Sequence, residues 1–148
     1  MEEVGLRGAT TSARAVDPDV AIILESDIAG DVPGIKPEES TVKLGEGPTV
    51  LIYEARLIPN LKLRELLLAT AKAINIPVQI SYIEAGSTDG AAIHLHNVGV
   101  PTAVLAVAAR HIHTHSSIIH RDDYENAVKL LVAVLKRLDS ATVASLTA

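Results

Sequence analysis

Apolar positions fall into two kinds of run along this chain, short continuous stretches rich in β-branched residues and longer stretches spaced as on a helix face. Val20 to Leu24, VAIIL, sits between Asp17-Pro18-Asp19 and Glu25-Ser26-Asp27 and reads as a buried parallel strand. Thr49 to Tyr53 reads as a second strand, and Pro77 to Ile83, with Val78, Ile80 and Tyr82 alternating against Gln79, Ser81 and Ile83, as a third. Thr102 to Ala108 is the fourth. Helical spacing is clearest from Asn60 to Ile74, where Leu63, Leu66, Leu67, Thr70 and Ile74 share a face and Asn60 stands as N-cap. A last helix over Tyr124 to Leu138 carries Ala127, Leu130, Leu131, Val134 and Leu138 as its stripe, with Arg121-Asp122-Asp123 as its cap. Shorter helices are expected near Ala9 to Arg14 and from Ala91 to Asn97.

Strands that alternate with helices predict an α/β fold, a mainly parallel sheet between helical layers. Gly30 to Pro48 holds three of the seven prolines and four of the nine glycines, so it reads as loop or weakly paired edge. The expected organisation is one domain over 1–139 followed by a frayed tail, 140–148.

Composition narrows the chemistry. Asp and Glu outnumber Lys and Arg 18 to 13, for a net charge of -5, which argues against a nucleic-acid surface. No apolar run reaches the roughly 20 residues of a membrane span, and MEEVGLRG has no signal-peptide pattern, so the expected location is cytoplasmic, without a membrane partner. The chain has no Cys, so a metal site would have to use His, Asp and Glu.

All six histidines lie between His94 and His120. If the fourth strand continues, His111, His113 and His115 emerge on one face at the sheet's end, where open α/β sheets place their chemistry. Singly, each reads as a surface histidine; together they point to a metal or acid/base site, or to a pH-sensitive or adventitious metal surface. Glu25 and Asp27 close the first strand, and read equally as caps or as ligands. The adjacent Glu2 and Glu3 read first as solvated charge. Their functional alternative is one cation ligand beside one general base. The loop Gly86 to Gly90 leads into a helix start whose amides suit an anion, but it lacks nucleotide-binding spacing.

The segments EEVGLRGA (from Glu2), AGDVPG (from Ala29), GSTDGAAIH (from Gly86) and GVPTAVLAVAARHIHTHSSIIHRDDYENAVKLL (from Gly99) resemble, in order and spacing, the C-terminal part of the catalytic domain of the glutamyl-aminopeptidase family. That family of co-catalytic metallo-aminopeptidases includes the tetrahedral aminopeptidases and proteins often labelled endoglucanase. The resemblance implies a metal-dependent aminopeptidase acting on peptides with two divalent ions, Zn or Co and also Mn, and a homo-oligomer, dodecameric in the intact family. It implies Glu2 as general base, Glu3 as ligand of one metal, and Glu25 and His113 as ligands of the other, with Asp27 a neighbour. The substrate-binding residues stay unassigned. The family's early His and bridging Asp lie upstream of the paired glutamates, so the expectation is a fragment, incomplete at its N-terminal side. A non-catalytic homologue acting in assembly or ligand binding is the alternative.

Overall fold

The structure, a computed structural model, describes residues 1–36 and 38–147. A single 3₁₀ turn, Glu2–Val4, precedes helix α1 (Arg7–Val16), strand β1 (Ala21–Ile28), strand β2 (Thr49–Glu54), helix α2 (Leu61–Ala73) and strand β3 (Gln79–Ile83). Then follow α3 (Gly90–Ile93), β4 (Thr102–Arg110), β5 (Ile118–Ile119), α4 (Arg121–Leu135) and α5 (Ser140–Ser145). The sheet runs β1-β4-β2-β3, with β5 hairpinned onto the end of β4. The β1/β4 and β2/β3 pairs are parallel, and β2/β4 and β4/β5 are antiparallel. This is a mixed, mostly parallel sheet between helices.

Strand β4 is central because its small and branched residues can be buried on both faces. Ala103 and Leu105 pack with Val50 beneath Leu63, Leu67 and Ala71 of α2 and Leu130 and Val134 of α4. Val104 and Ala106 turn to the other face, against Ile23, Leu51 and Leu57. That alternation follows from the two-residue period of a strand. Asn60 caps α2 by accepting the Leu63 N–H at 2.9 Å.

Three expectations need correction. Strand β1 is not buried on both faces; it is an edge strand, and Leu24 and Ile28 are 60% and 46% exposed. The start of α4 is capped by His120, whose Nδ1 accepts the Asp122 N–H, while Asp123 is buried and directed elsewhere. Nor is the tail frayed. Asp139 accepts the Thr142 N–H to open α5, the buried Leu146 joins the main core, and the Leu146 carbonyl accepts a hydrogen bond from Asn60 Nδ2. Ala148 lies outside the described residues. Among the described residues no helix is long and apolar enough to cross a membrane.

Candidate active site

Side chains from both ends of the sequence meet in one cavity of about 550 Å³, whose walls include Glu2, Glu3, Glu25, Arg56, Thr88 and His113. Its floor is set by strand alternation: Ile23, Glu25 and Asp27 point to the same face of β1, and Ile23 anchors that face in the core. Among the described residues Glu25, half-buried, accepts only its neighbour's amide, Ser26 N–H at 3.0 Å. Burial raises its pKa, and the charges of Glu2, Asp89 and Glu3 raise it further against the Ser26 hydrogen bond.

Glu2 and Glu3 stand on the 3₁₀ turn. Gly5 closes it in the left-handed region, φ 98°, and donates to the Glu2 carbonyl at 3.1 Å. Leu6, buried, donates to the same carbonyl and so fixes the turn to the core. The two carboxylates part company there. Glu3 Oε1 lies 3.2 Å from His113 Nδ1. Glu2 is more enclosed, and burial, then repulsion from Glu3 and Asp89, raise its pKa against the opposing pull of His113 and the N-terminus.

The histidines do not share a strand face. Strand β4 ends at Arg110, and His111 and His113 take left-handed φ values of 59° and 60° in a turn. Histidine is among the residues that tolerate that region. Thr114 Oγ1 and Ser117 Oγ both donate to the His111 carbonyl, at 2.7 and 3.3 Å, and hold the turn. His113 alone of the three lines the cavity. His111 and His115 are exposed, and Asp27 is buried with its carboxylate occupied by Thr49 Oγ1 and the Ile28 amide.

Two supporting groups have no signal in the local pattern. Glu54, 1% exposed at the end of β2, accepts Ser87 Oγ–H at 3.1 Å and the Thr88 N–H at 3.0 Å, and so fixes the loop that walls the cavity. The anion that the Gly86 to Gly90 loop suits is thus the protein's own carboxylate. Asp31, inside AGDVPG, takes a bidentate pair of hydrogen bonds from Arg110 and one from the Leu44 amide. Arg110 holds its carboxyl below the usual aspartate range. A depressed pKa gives stability that is present above the unfolded value and is lost as pH falls through the folded one. Asp31→Asn is therefore expected to lower the thermal midpoint at pH 7, and the difference from wild type to close below about pH 3.9. Thermal unfolding followed by circular dichroism across pH checks this; a difference independent of pH would refute it.

The donors suit a divalent cation in kind. They are carboxylate oxygens and an imidazole, and their crowding leaves negative charge that the cavity's histidine and arginine do not balance. In number they fall short, since among the described residues no three such groups are placed to hold one ion.

The chain is 35% identical over 145 residues to the glutamyl aminopeptidase of Lactococcus lactis subsp. cremoris, covering 98% of this chain and 39% of that protein. A TET aminopeptidase from a marine sediment archaeon of the Thaumarchaeota superposes with a TM-score of 0.95 at 48% identity, over 98% of this chain and 40% of that one. The TET1 peptidase of Pyrococcus horikoshii, which can assemble into a tetrahedron or a large octahedral shell, superposes with a TM-score of 0.76 at 29% identity, over 89% of this chain and 37% of that one. The chain thus spans about two fifths of the length of the curated relatives it matches. With residues 1–130 matching the family's profile, the chain belongs to the M42 glutamyl aminopeptidase family.

Proposed function

We propose that this chain supplies the general base and part of the ligand set of a metal-dependent aminopeptidase that removes N-terminal residues from peptides. One observation carries the reading: Glu2, Glu3, Glu25 and His113, up to 111 positions apart, line a single cavity. A bound divalent ion supplies Lewis-acid polarisation of the scissile carbonyl and an acidified water. Glu3, Glu25 and His113 are the groups here that would hold such ions, with Zn, Co and Mn all compatible with oxygen and imidazole donors. Glu2 is the base. Partly buried and pressed by neighbouring carboxylates, it is a stronger proton acceptor than a solvated glutamate, as a base working near neutrality requires. Two ions need more than three protein ligands, so the rest come from outside the described residues. The P. horikoshii relative's assembly supports a homo-oligomer, dodecameric in this reading, and a cytoplasmic setting completes it.

The shortfall in ligands favours a second reading, a non-catalytic relative that uses the shell for assembly or ligand binding. Calorimetric titration with Zn²⁺ and Co²⁺, run beside an aminoacyl-p-nitroanilide assay, tests both. Metal uptake weakened about tenfold or more in Glu3→Ala and His113→Ala supports the assigned ligands. Uptake indifferent to both variants removes them. Turnover then favours the peptidase, and ligand-dependent uptake with no turnover in any assembly favours the second reading.

A further inference from the structure

The carboxylate-lined cavity opens into a second one, of about 460 Å³, at the junction of α1 and α3; the two share Gly5, Leu6 and Arg56. The passage is unobstructed at Gly5, where even a Cβ would meet no atom within 4 Å. The two cavities differ in charge. The first gathers Glu2, Glu3 and Glu25, whereas among the described residues no Asp or Glu lines the second, which is lined instead by Arg14 and Arg56. In a chain of net charge -5 this is a reversal of the prevailing sign.

Arg56 is held at the junction by its backbone. Ala55 and Arg56 form the tip of a two-residue turn closed by reciprocal hydrogen bonds: the Glu54 N–H donates to the Leu57 carbonyl at 3.0 Å and the Leu57 N–H to the Glu54 carbonyl at 3.3 Å. Both flanking residues are buried, and the Glu54 carboxylate is itself tied to Ser87 and Thr88. The position is therefore fixed, while the guanidinium is spare: neither Arg56 nor Arg14 has a hydrogen-bond or ion-pair partner among the described residues. Asp17, beside the second cavity, is committed elsewhere, with its Oδ1 2.8 Å from His96 Nε2 and 2.6 Å from Asn97 Nδ2. Arg14 has a structural use as the cation in the last turn of α1. Arg56 has none in the fold. A free guanidinium presents a planar fork of donors that matches a carboxylate with two parallel hydrogen bonds. A peptide in water is a dipolar ion, and these adjoining cavities offer opposite charges to its two ends.

We infer that the second cavity takes the carboxylate end of a short peptide, with Arg56 as the specificity-determining residue and Arg14 beside it, while the peptide's ammonium end lies among the carboxylates of the first cavity. The inference rests on the peptidase reading for its choice of a peptide, and it deepens that reading by assigning a substrate-binding residue. It requires no bound metal.

The test is calorimetric titration of the full chain, with EDTA present so that no peptide is consumed, with di-, tri- and tetra-alanine as free acids and as C-terminal amides. Wild type is expected to prefer the free acid about tenfold at the length that spans the two cavities, as a charge-assisted contact gives. The preference should shrink as salt is raised, because the contact is open to solvent. Arg56→Gln should abolish it and Arg56→Lys restore it in part, since lysine keeps the charge but not the fork. Lys129→Gln removes the same charge from the exposed face of α4 and should leave the preference intact. Amides that carry Glu in place of an internal alanine separate the two sources of a carboxylate: tighter binding than the Gln counterpart assigns the subsite to an acidic side chain as well as to the C-terminus. Equal affinity for acid and amide at every length, or an equal loss of preference in Lys129→Gln and Arg56→Gln, overturns the proposal. Turnover of the p-nitroanilide, which has no carboxylate, decides the peptidase reading separately.

Discussion

In the proposed reading, replacing Glu2 with glutamine is expected to lower kcat for aminopeptidase turnover by about 10²- to 10⁴-fold, the range typical of a lost general base. Glutamine keeps the size of the side chain and its place on the 3₁₀ turn but cannot take a proton. Metal content should not fall, because in the proposed assignment Glu3, which faces His113 at 3.2 Å, and not Glu2, is the ligand on that turn. Folding should not suffer either: a neutral side chain at this position relieves the burial of a charge, and then the repulsion from Glu3 and Asp89, that together raise the Glu2 pKa. Steady-state kinetics on an aminoacyl-p-nitroanilide, with metal content and thermal midpoint measured on the same preparation, check all three parts. An unchanged kcat would show that the base lies elsewhere. Equal loss of metal in Glu2→Gln and Glu3→Gln would show that Glu2 is a ligand.

The two glutamates also mark how far a sequence can be read without its fold. Helix α2 was legible because its cap, its stripe and its spacing are all local, and β4 because a continuous run of small and branched residues has few other uses. The shared face of the histidines depended on the strand continuing, and it does not: alternation holds only while the strand lasts, and left-handed residues at His111 and His113 end it at once. Glu25 could be singled out because it follows an apolar run directly, though nothing there told ligand from cap. Glu54, Asp31 and the docking of Leu146 were not legible. Each is fixed by a partner distant in sequence, such as the Thr88 amide 34 positions from Glu54 or Asn60 of α2, 86 positions from Leu146. The exposed edge of β1 was hidden as well, since VAIIL has the composition of a central strand while its burial depends on what pairs beside it.

Asp123 gives the clearest case of a residue whose local and tertiary roles differ, and the second large effect. By position, Asp122 and Asp123 are equivalent first-turn acids of α4, each favoured there by the helix dipole. In the structure Asp123 is 1% exposed and reaches across to the Gly/Pro-rich segment before β2. Its Oδ2 accepts the Gly45 N–H at 2.7 Å and its Oδ1 the Gly47 N–H at 2.9 Å. The segment cannot easily satisfy those amides otherwise. Gly47 sits at φ 97° so close to Pro77 that a Cβ there would lie 2.1 Å from the Pro77 carbonyl oxygen, and Gln79 Nε2 already fills the Gly47 carbonyl. Asp123→Ala strands two amides, one of them at a fully buried contact, at about 1–3 kcal/mol each, so a total loss of about 2–6 kcal/mol is expected. Asp122→Ala removes only a first-turn charge and should cost about 0.3–1 kcal/mol. Urea unfolding of the two variants side by side separates the roles. Similar losses in both would mean that Asp123 acts as a helix-end charge; a large loss confined to Asp123→Ala would mean that this carboxylate ties the loop before β2 to the helix that covers β4.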